Sequence, residues 1–191
     1  MTQEDISIKE LSFEPEILKV DAIEFRPFMI ECAFDYYQVC IESRHQRMGI
    51  QTVMSALAIE VLLKSFNARV TGNVGRLDET YEFDRKAVIS KNSNAHDLVT
   101  LYEALPSNLQ NYLFDDIDLE ILEVNRSLFS SSRYVYEAKA NKIHNDDIIK
   151  LAARLICKIV CLYRKQNCND PFINEFDVEK LFLSHNHPVW W

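Results

Sequence analysis

The clearest pattern in the chain runs from Ile50 to Leu62. Ile50, Val53, Met54, Leu57, Ala58, Val61 and Leu62 recur at the steps of one helical face, and Leu63 and Phe66 widen it. This spacing predicts a largely buried helix, with Gly49 breaking the chain before it and Gly72 and Gly75 closing it. An earlier helix starts at about Pro27, because proline fits a first turn. It carries Met29, Cys32, Ala33, Tyr36, Tyr37, Val39 and Cys40 at mostly helical steps. The longest apolar run is 148–165, IIKLAARLICKIVCLYRK. Lys150, Arg154 and Lys158 repeat every four residues along it, one basic stripe on an otherwise apolar cylinder. Such a helix is surrounded on most sides. Asn145, Asp146 and Asp147 supply its cap and first turn.

Shorter helices fill the middle of the chain. Asn94 caps HDLVTLYEAL, with Asp97 three residues on near the positive helix start. Pro106 opens PSNLQNYLF, and Asp115 and Asp116 open DIDLEILEVNRSLF, in which Ile117, Ile121, Leu122, Val124 and Leu128 are apolar. Residues 71–95 read as the longest loop, holding one small hairpin of 81–83 against 87–89. Residues 1–25 read as an arm, since Ile6, Ile8, Leu11 and Phe13 are spaced too irregularly for a helix and Pro15 interrupts. Residues 169–191 read as an aromatic tail ending in Trp190 and Trp191. The expected fold is all-α: an antiparallel bundle of about five helices over 26–168, with a short arm at each end.

Composition agrees with helices. Three glycines in 191 residues are too few for a Rossmann turn, a P-loop or a β protein with many tight turns. No run of about 18 apolar residues predicts a membrane span. The acidic start, MTQEDISIKELSFEPE, lacks the basic and apolar parts of a signal peptide, which leaves the cytoplasm as the expected location. The five cysteines, Cys32, Cys40, Cys157, Cys161 and Cys168, read as reduced thiols serving as small apolar residues. No fourth ligand near Cys157, Cys161 and Cys168 supports zinc, and neither a metal nor a cofactor is expected.

The net charge of -8 hides an asymmetry. Residues 1–25 carry seven acids and two bases, and residues 78–123 carry eleven acids and three bases. Residues 126–165 carry nine bases and three acids, a local +6. A local excess of this kind binds a polyanion even on an acidic protein, unless the segments neutralise one another within the fold.

Four groups of residues are candidates for chemistry. The first is Arg133, Tyr134, Tyr136, Glu137, Lys139, Lys142 and His144. Arginine forks onto a phosphate, tyrosine stacks on a base, and histidine moves protons near neutral pH. With Lys150, Arg154 and Lys158 they form the expected nucleic-acid or nucleotide surface. The second is His96–Asp97, the third His185–Asn186–His187 on one face of an extended strand, the fourth Glu42, Arg44, His45 and Arg47. For these three, a capped helix start, a metal-free strand and a polar helix end are the competing readings. HExxH, GxSxG, GxxxxGK[ST] and CxxC are all absent.

Three segments carry a resemblance. SALAIEVLLKSF (55–66), with Glu60 and Lys64, resembles the alanine-rich segment of the HEPN superfamily, in which a Glu is followed by a Lys four residues on. HDLVTLYEAL (96–105) is similar to that family's His-Asp-Leu helix start, and SSSRYVYE (130–137) to its Ser/Thr-Arg-Tyr element. Together they cover roughly 30–165. The resemblance implies a helical bundle of four or five helices, often dimeric, of the kind found in prokaryotic toxin–antitoxin, phage-defence and RNA-processing systems. Family ribonucleases are metal-independent and use an Arg, four to six residues, then a His. Here ten residues separate Arg133 from His144. The expected function is a binding module for RNA, a nucleotide or a protein partner, acting as a homodimer, with Arg133 and Tyr134 carried over from the family. The alternatives are a ribonuclease using Arg133 and His144, and a structural protein that assembles through its tail and acidic arm.

Overall fold

A computed structural model describes residues 13–42, 48–88, 94–129 and 146–186. The chain is mostly helical. In order it forms α1 (Glu14–Ile17), α2 (Pro27–Glu42), α3 (Met48–Ser65), β1 (Ala68–Gly72), β2 (Thr80–Phe83), α4 (Arg85–Val88), α5 (Leu98–Glu103), α6 (Ser107–Leu113), α7 (Asp116–Asn125), α8 (Asp147–Lys165), α9 (Pro171–Glu175) and α10 (Val178–Asn186).

α8 is the axis. It packs against α2, α3, α6, α7, α9 and α10. Ile148, Leu151, Ala152, Ile156, Cys157, Val160, Leu162 and Tyr163 are fully buried around it, as its apolar run predicts. α3 lies against both α2 and α8. Its Ala56, Ala58 and Ser55 have no exposure, so small side chains let the helix axes approach. α3 is long and apolar enough to cross a membrane by length and composition alone, but 56% of it is buried inside the fold as a core helix. Gln51 and Cys40 join α2 to α3: Gln51 Nε2 donates to the Cys40 carbonyl at 3.2 Å, and Cys40 Sγ donates to the Gln51 carbonyl at 3.1 Å. Cys40, Cys157 and Cys168 are buried and all five cysteines are free thiols.

Several local expectations are corrected. Gly49 stands in the first turn of α3 rather than at a break. α3 ends at Ser65, and Gly72 and Gly75 serve the hairpin instead. The pair is β1 with β2, antiparallel, Ala68 opposite Phe83 and Val70 opposite Tyr81. Residues 87 and 88, expected in the second strand, belong to the helical turn α4. Strand preference depends on neighbours more than on local sequence, so ARVTG gave little signal. The turn needs Asn73 and Gly75 at φ 53° and 74°, the left-handed region. At Gly72 a Cβ would stand 2.8 Å from Thr80 Oγ1, so a larger residue would make that side chain turn away. Ile50, on the face expected to be buried, is 45% exposed, and the apolar Ile117 and Val124 are 67% and 77% exposed.

The first and last described segments belong to the body. Phe13 and Ile17 join the core, and Pro15 sits in the first turn of α1, where it lacks nothing the helix needs. Residues 21–26 form a strap: Gln166 accepts from Ile23 N at 3.0 Å, and Tyr163 Oη accepts from Arg26 N at 3.2 Å. The tail is helical rather than extended. Arg164 donates to the carbonyls of Ile173, Asn174 and Phe176 and so closes α9. Phe34 of α2 packs on Phe172 and Phe176, with ring centroids 5.9 and 4.8 Å away. α10 adds Leu181 and Phe182 to the core. Trp190 and Trp191 lie outside the described residues.

Candidate functional site

Two of the three resemblance-bearing segments meet at one end of the bundle; the third, 130–137, lies outside the described residues. α3 and α5 pack together, and α5 packs on α7. This brings Glu60 and Lys64 of α3 beside His96, 36 residues away from Glu60 along the chain. Glu60 is 3% exposed, rare for a carboxylate. Its Oε1 accepts from Lys64 Nζ at 2.6 Å and stands 2.8 Å from His96 Nδ1. The i, i+4 spacing of Glu60 and Lys64 supplies the first contact, while the second arises only in the fold. Oε2 is buried without a hydrogen-bond partner, an arrangement that costs about 1–3 kcal/mol. Lys64 Nζ also lies 5.2 Å from the centroid of the Phe83 ring of β2. His96 lies 5.7 Å, ring to ring, from Phe129. SSSRYVYE follows Phe129 directly in the chain.

His96 is presented by a fixed corner. Asn94 does not cap the helix; its Oδ1 accepts from His96 N at 3.1 Å. Asp97 is the cap, its Oδ1 accepting from Val99 N and Thr100 N at 3.0 and 3.1 Å. Asp97 Oδ2 takes Arg126 in a fork, at 3.0 Å to Nε and 2.8 Å to Nη2. Arg126 Nη1 also reaches Glu123 at 2.9 Å. These hydrogen bonds hold the Arg126 guanidinium still more firmly protonated. The His96 side chain is 45% exposed. The corner is therefore a carboxylate-backed imidazole at the surface, with Lys64 compensating the buried charge.

The basic stripe of α8 has a different fate at each position. Lys150 pairs with Asp146 at 2.7 Å, both half open to solvent. Arg154 pairs with Asp118 of α7, which is 1% exposed. Lys158 Nζ donates to the Leu113 carbonyl at 2.9 Å, closing α6, and burial pushes its ammonium below the ordinary lysine range. Two of the three heads are thus engaged inside the fold. Arg133, Tyr134, Tyr136, Glu137, Lys139, Lys142 and His144 lie outside the described residues, as do Arg44, His45, Arg47 and His187. Glu42 is exposed at the end of α2. His185 and Asn186 fall in the last turn of α10, a helix and not the expected strand.

Among the described residues no three His, Cys, Asp or Glu side chains come together as a metal site. A shallow apolar groove between α5 and α7 is lined by Val99, Tyr102, Leu119 and Leu122, with Glu120 and Glu123. Sequence reasoning took Glu60 and Lys64 together at i, i+4, as the structure pairs them, but read His96 apart from them; no local signal joins residues 36 apart. The chain matches no protein-family model, no curated protein and no solved structure.

Proposed function

We propose that the chain is an HEPN-like helical module that binds RNA or a nucleotide at the end of the bundle where Glu60, Lys64 and His96 meet. One observation carries the reading: segments 55–66 and 96–105 converge at this end, and the Arg-Tyr element starts within one residue of Phe129, which packs on His96. Separate segments with separate packing duties would have no reason to gather around one partly exposed imidazole. The residues proposed to contact phosphates are Arg133, Tyr134, Lys139 and Lys142, all outside the described residues, with Lys150 at the start of α8. Arg154 and Lys158 serve the fold instead.

Fluorescence anisotropy of a labelled single-stranded RNA against salt tests this. Four cations on phosphates give a log–log slope of about -3, and Arg133→Ala or Lys142→Ala each weakens binding and lowers the slope by about 0.7. Absent or salt-insensitive binding sinks the reading. A metal-independent ribonuclease is favoured by one feature, an exposed imidazole oriented by a buried carboxylate, which is the arrangement of a general acid–base group. In that reading Arg133 holds the phosphate and His144 or His96 moves the proton. RNA left intact in the same mixtures, with chelator present, removes it.

A further inference from the structure

Resting on the nucleic-acid reading of this end of the bundle, we propose that His96 distinguishes ribose from deoxyribose by accepting a hydrogen bond from a 2′-hydroxyl at Nε2, with Glu60 as its positioning residue. The argument starts from the oxygen that His96 faces. Glu60 Oε1 already accepts from the Lys64 ammonium at 2.6 Å, so it is an acceptor toward His96 as well. The imidazole hydrogen therefore sits on Nδ1, 2.8 Å away. In the uncharged ring Nε2 then keeps a lone pair and no hydrogen. Free histidine in water has no such fixed choice; here the buried carboxylate makes it.

The ring bridges the interior and the surface. The Glu60 side chain is 4% exposed and that of His96 is 45% exposed. With the Nδ1 side of the ring on Glu60, its accepting nitrogen faces away from that carboxylate. Lys64 Nζ donates to the same Glu60 oxygen, so that carboxylate is shared between two side chains. Asp97 and Arg126, the charged pair at the same corner, are forked onto each other, and Glu123 holds the remaining arm of Arg126. When the ring is uncharged, a fixed acceptor of this kind selects a ligand group that donates. A phosphodiester carries no donor, whereas a ribose carries its 2′-hydroxyl, the group by which a protein separates RNA from DNA. The sugar hydroxyl therefore falls to His96. Phe83 and Phe129, both half-buried, pack beside Lys64 and His96 and help fix the corner.

The test compares labelled RNA, DNA and 2′-O-methyl RNA of one sequence by anisotropy at about pH 8, above the ordinary histidine range. Wild type should bind RNA about fivefold more tightly than either analogue, the worth of one hydrogen bond. In His96→Ala the RNA affinity should fall to that of DNA. In Glu60→Leu the preference should also vanish, and the imidazole nitrogen shifts should move from an Nδ1–H to an Nε2–H ring. If that variant does not fold, the wild-type nitrogen shifts decide alone, and an Nε2–H ring overturns the proposal. So does a ribose preference that survives His96→Ala, or equal binding of RNA and DNA by wild type. Failure to bind any of the three strands overturns the nucleic-acid reading itself, a separate and recognisable outcome.

Discussion

Cys157 in the middle of α8 and Tyr163 in its last turn have no exposure, and each is buried with its proton on. Burial pushes the Cys157 thiol up to about 12, with a smaller contribution from Cys161. Burial likewise pushes the Tyr163 phenol up to about 12, against the lowering influence of the Arg26 backbone contact. A raised acid favours the folded state fully below its unfolded value and loses that contribution as pH climbs through the folded one. For Cys157 the window opens near the ordinary thiol value of about 8.5 and closes near 12. Denaturant midpoints should therefore fall with rising pH across that window, by roughly 1 kcal/mol per pH unit for each such group. Cys157→Ala should flatten the slope. An unchanged slope in that variant would place the alkaline loss elsewhere. None of this was legible locally: the sequence showed an apolar setting for Cys157, but full burial follows from α8 being wrapped on most of its sides.

Between elements, the α7–α8 contact shows what a charge pattern leaves open. Asp115, Asp116, Asp118, Glu120 and Glu123 read along the chain as a solvated acidic face, and Lys150, Arg154 and Lys158 as a basic stripe. A linear pattern is the same whether two charged faces point to water or to each other. Packing decides, and here Asp118 and Arg154 meet, Asp118 almost wholly buried. Asp118 has a second duty: Asp115 N donates to its Oδ2 at 3.2 Å, while Asp118 N donates to Asp115 Oδ1 at 2.8 Å, a reciprocal capping box. Asp118→Ala removes both at once and should cost about 2–4 kcal/mol in urea unfolding. Arg154 is one-third exposed, which keeps this at the lower end of the cost for breaking a buried pair. A double-mutant cycle with Arg154→Ala should show a coupling of about 1 kcal/mol or more. Additive losses would mean that the pair contributes nothing beyond its separate parts. The long periodic helices α2, α3 and α8 were legible because their apolar faces repeat over many turns. The hairpin and the capping residue of α5 were not, since each turns on one or two residues whose partners lie elsewhere in the fold.

For the whole molecule, α8 is a shared support, and its two ends of chain differ in what holds them. The strap at 21–26 is tied by Gln166, Tyr163 and the Arg26 Nε contact to the Ala68 carbonyl at 2.9 Å. The tail instead depends on one guanidinium. Arg164 closes three carbonyls of 173–176, and α9 is only five residues long, too short to hold itself. Regions with few internal contacts open before the core does. Arg164→Ala should therefore release α9 and α10 as a unit: amide exchange in 169–186 should speed up, while α2, α3 and the centre of α8 keep their protection. The Phe34 cluster with Phe172 and Phe176 slows that opening, so the effect should be larger when Phe176→Ala is added. Uniformly faster exchange across α8 would show that the tail is part of a single cooperative core. Protection confined to α2, α3 and α8 would also explain why an apolar tail of this length gave no periodic signal. Its helices exist because α8 and α2 present a surface to them, and the information for that surface lies elsewhere in the chain.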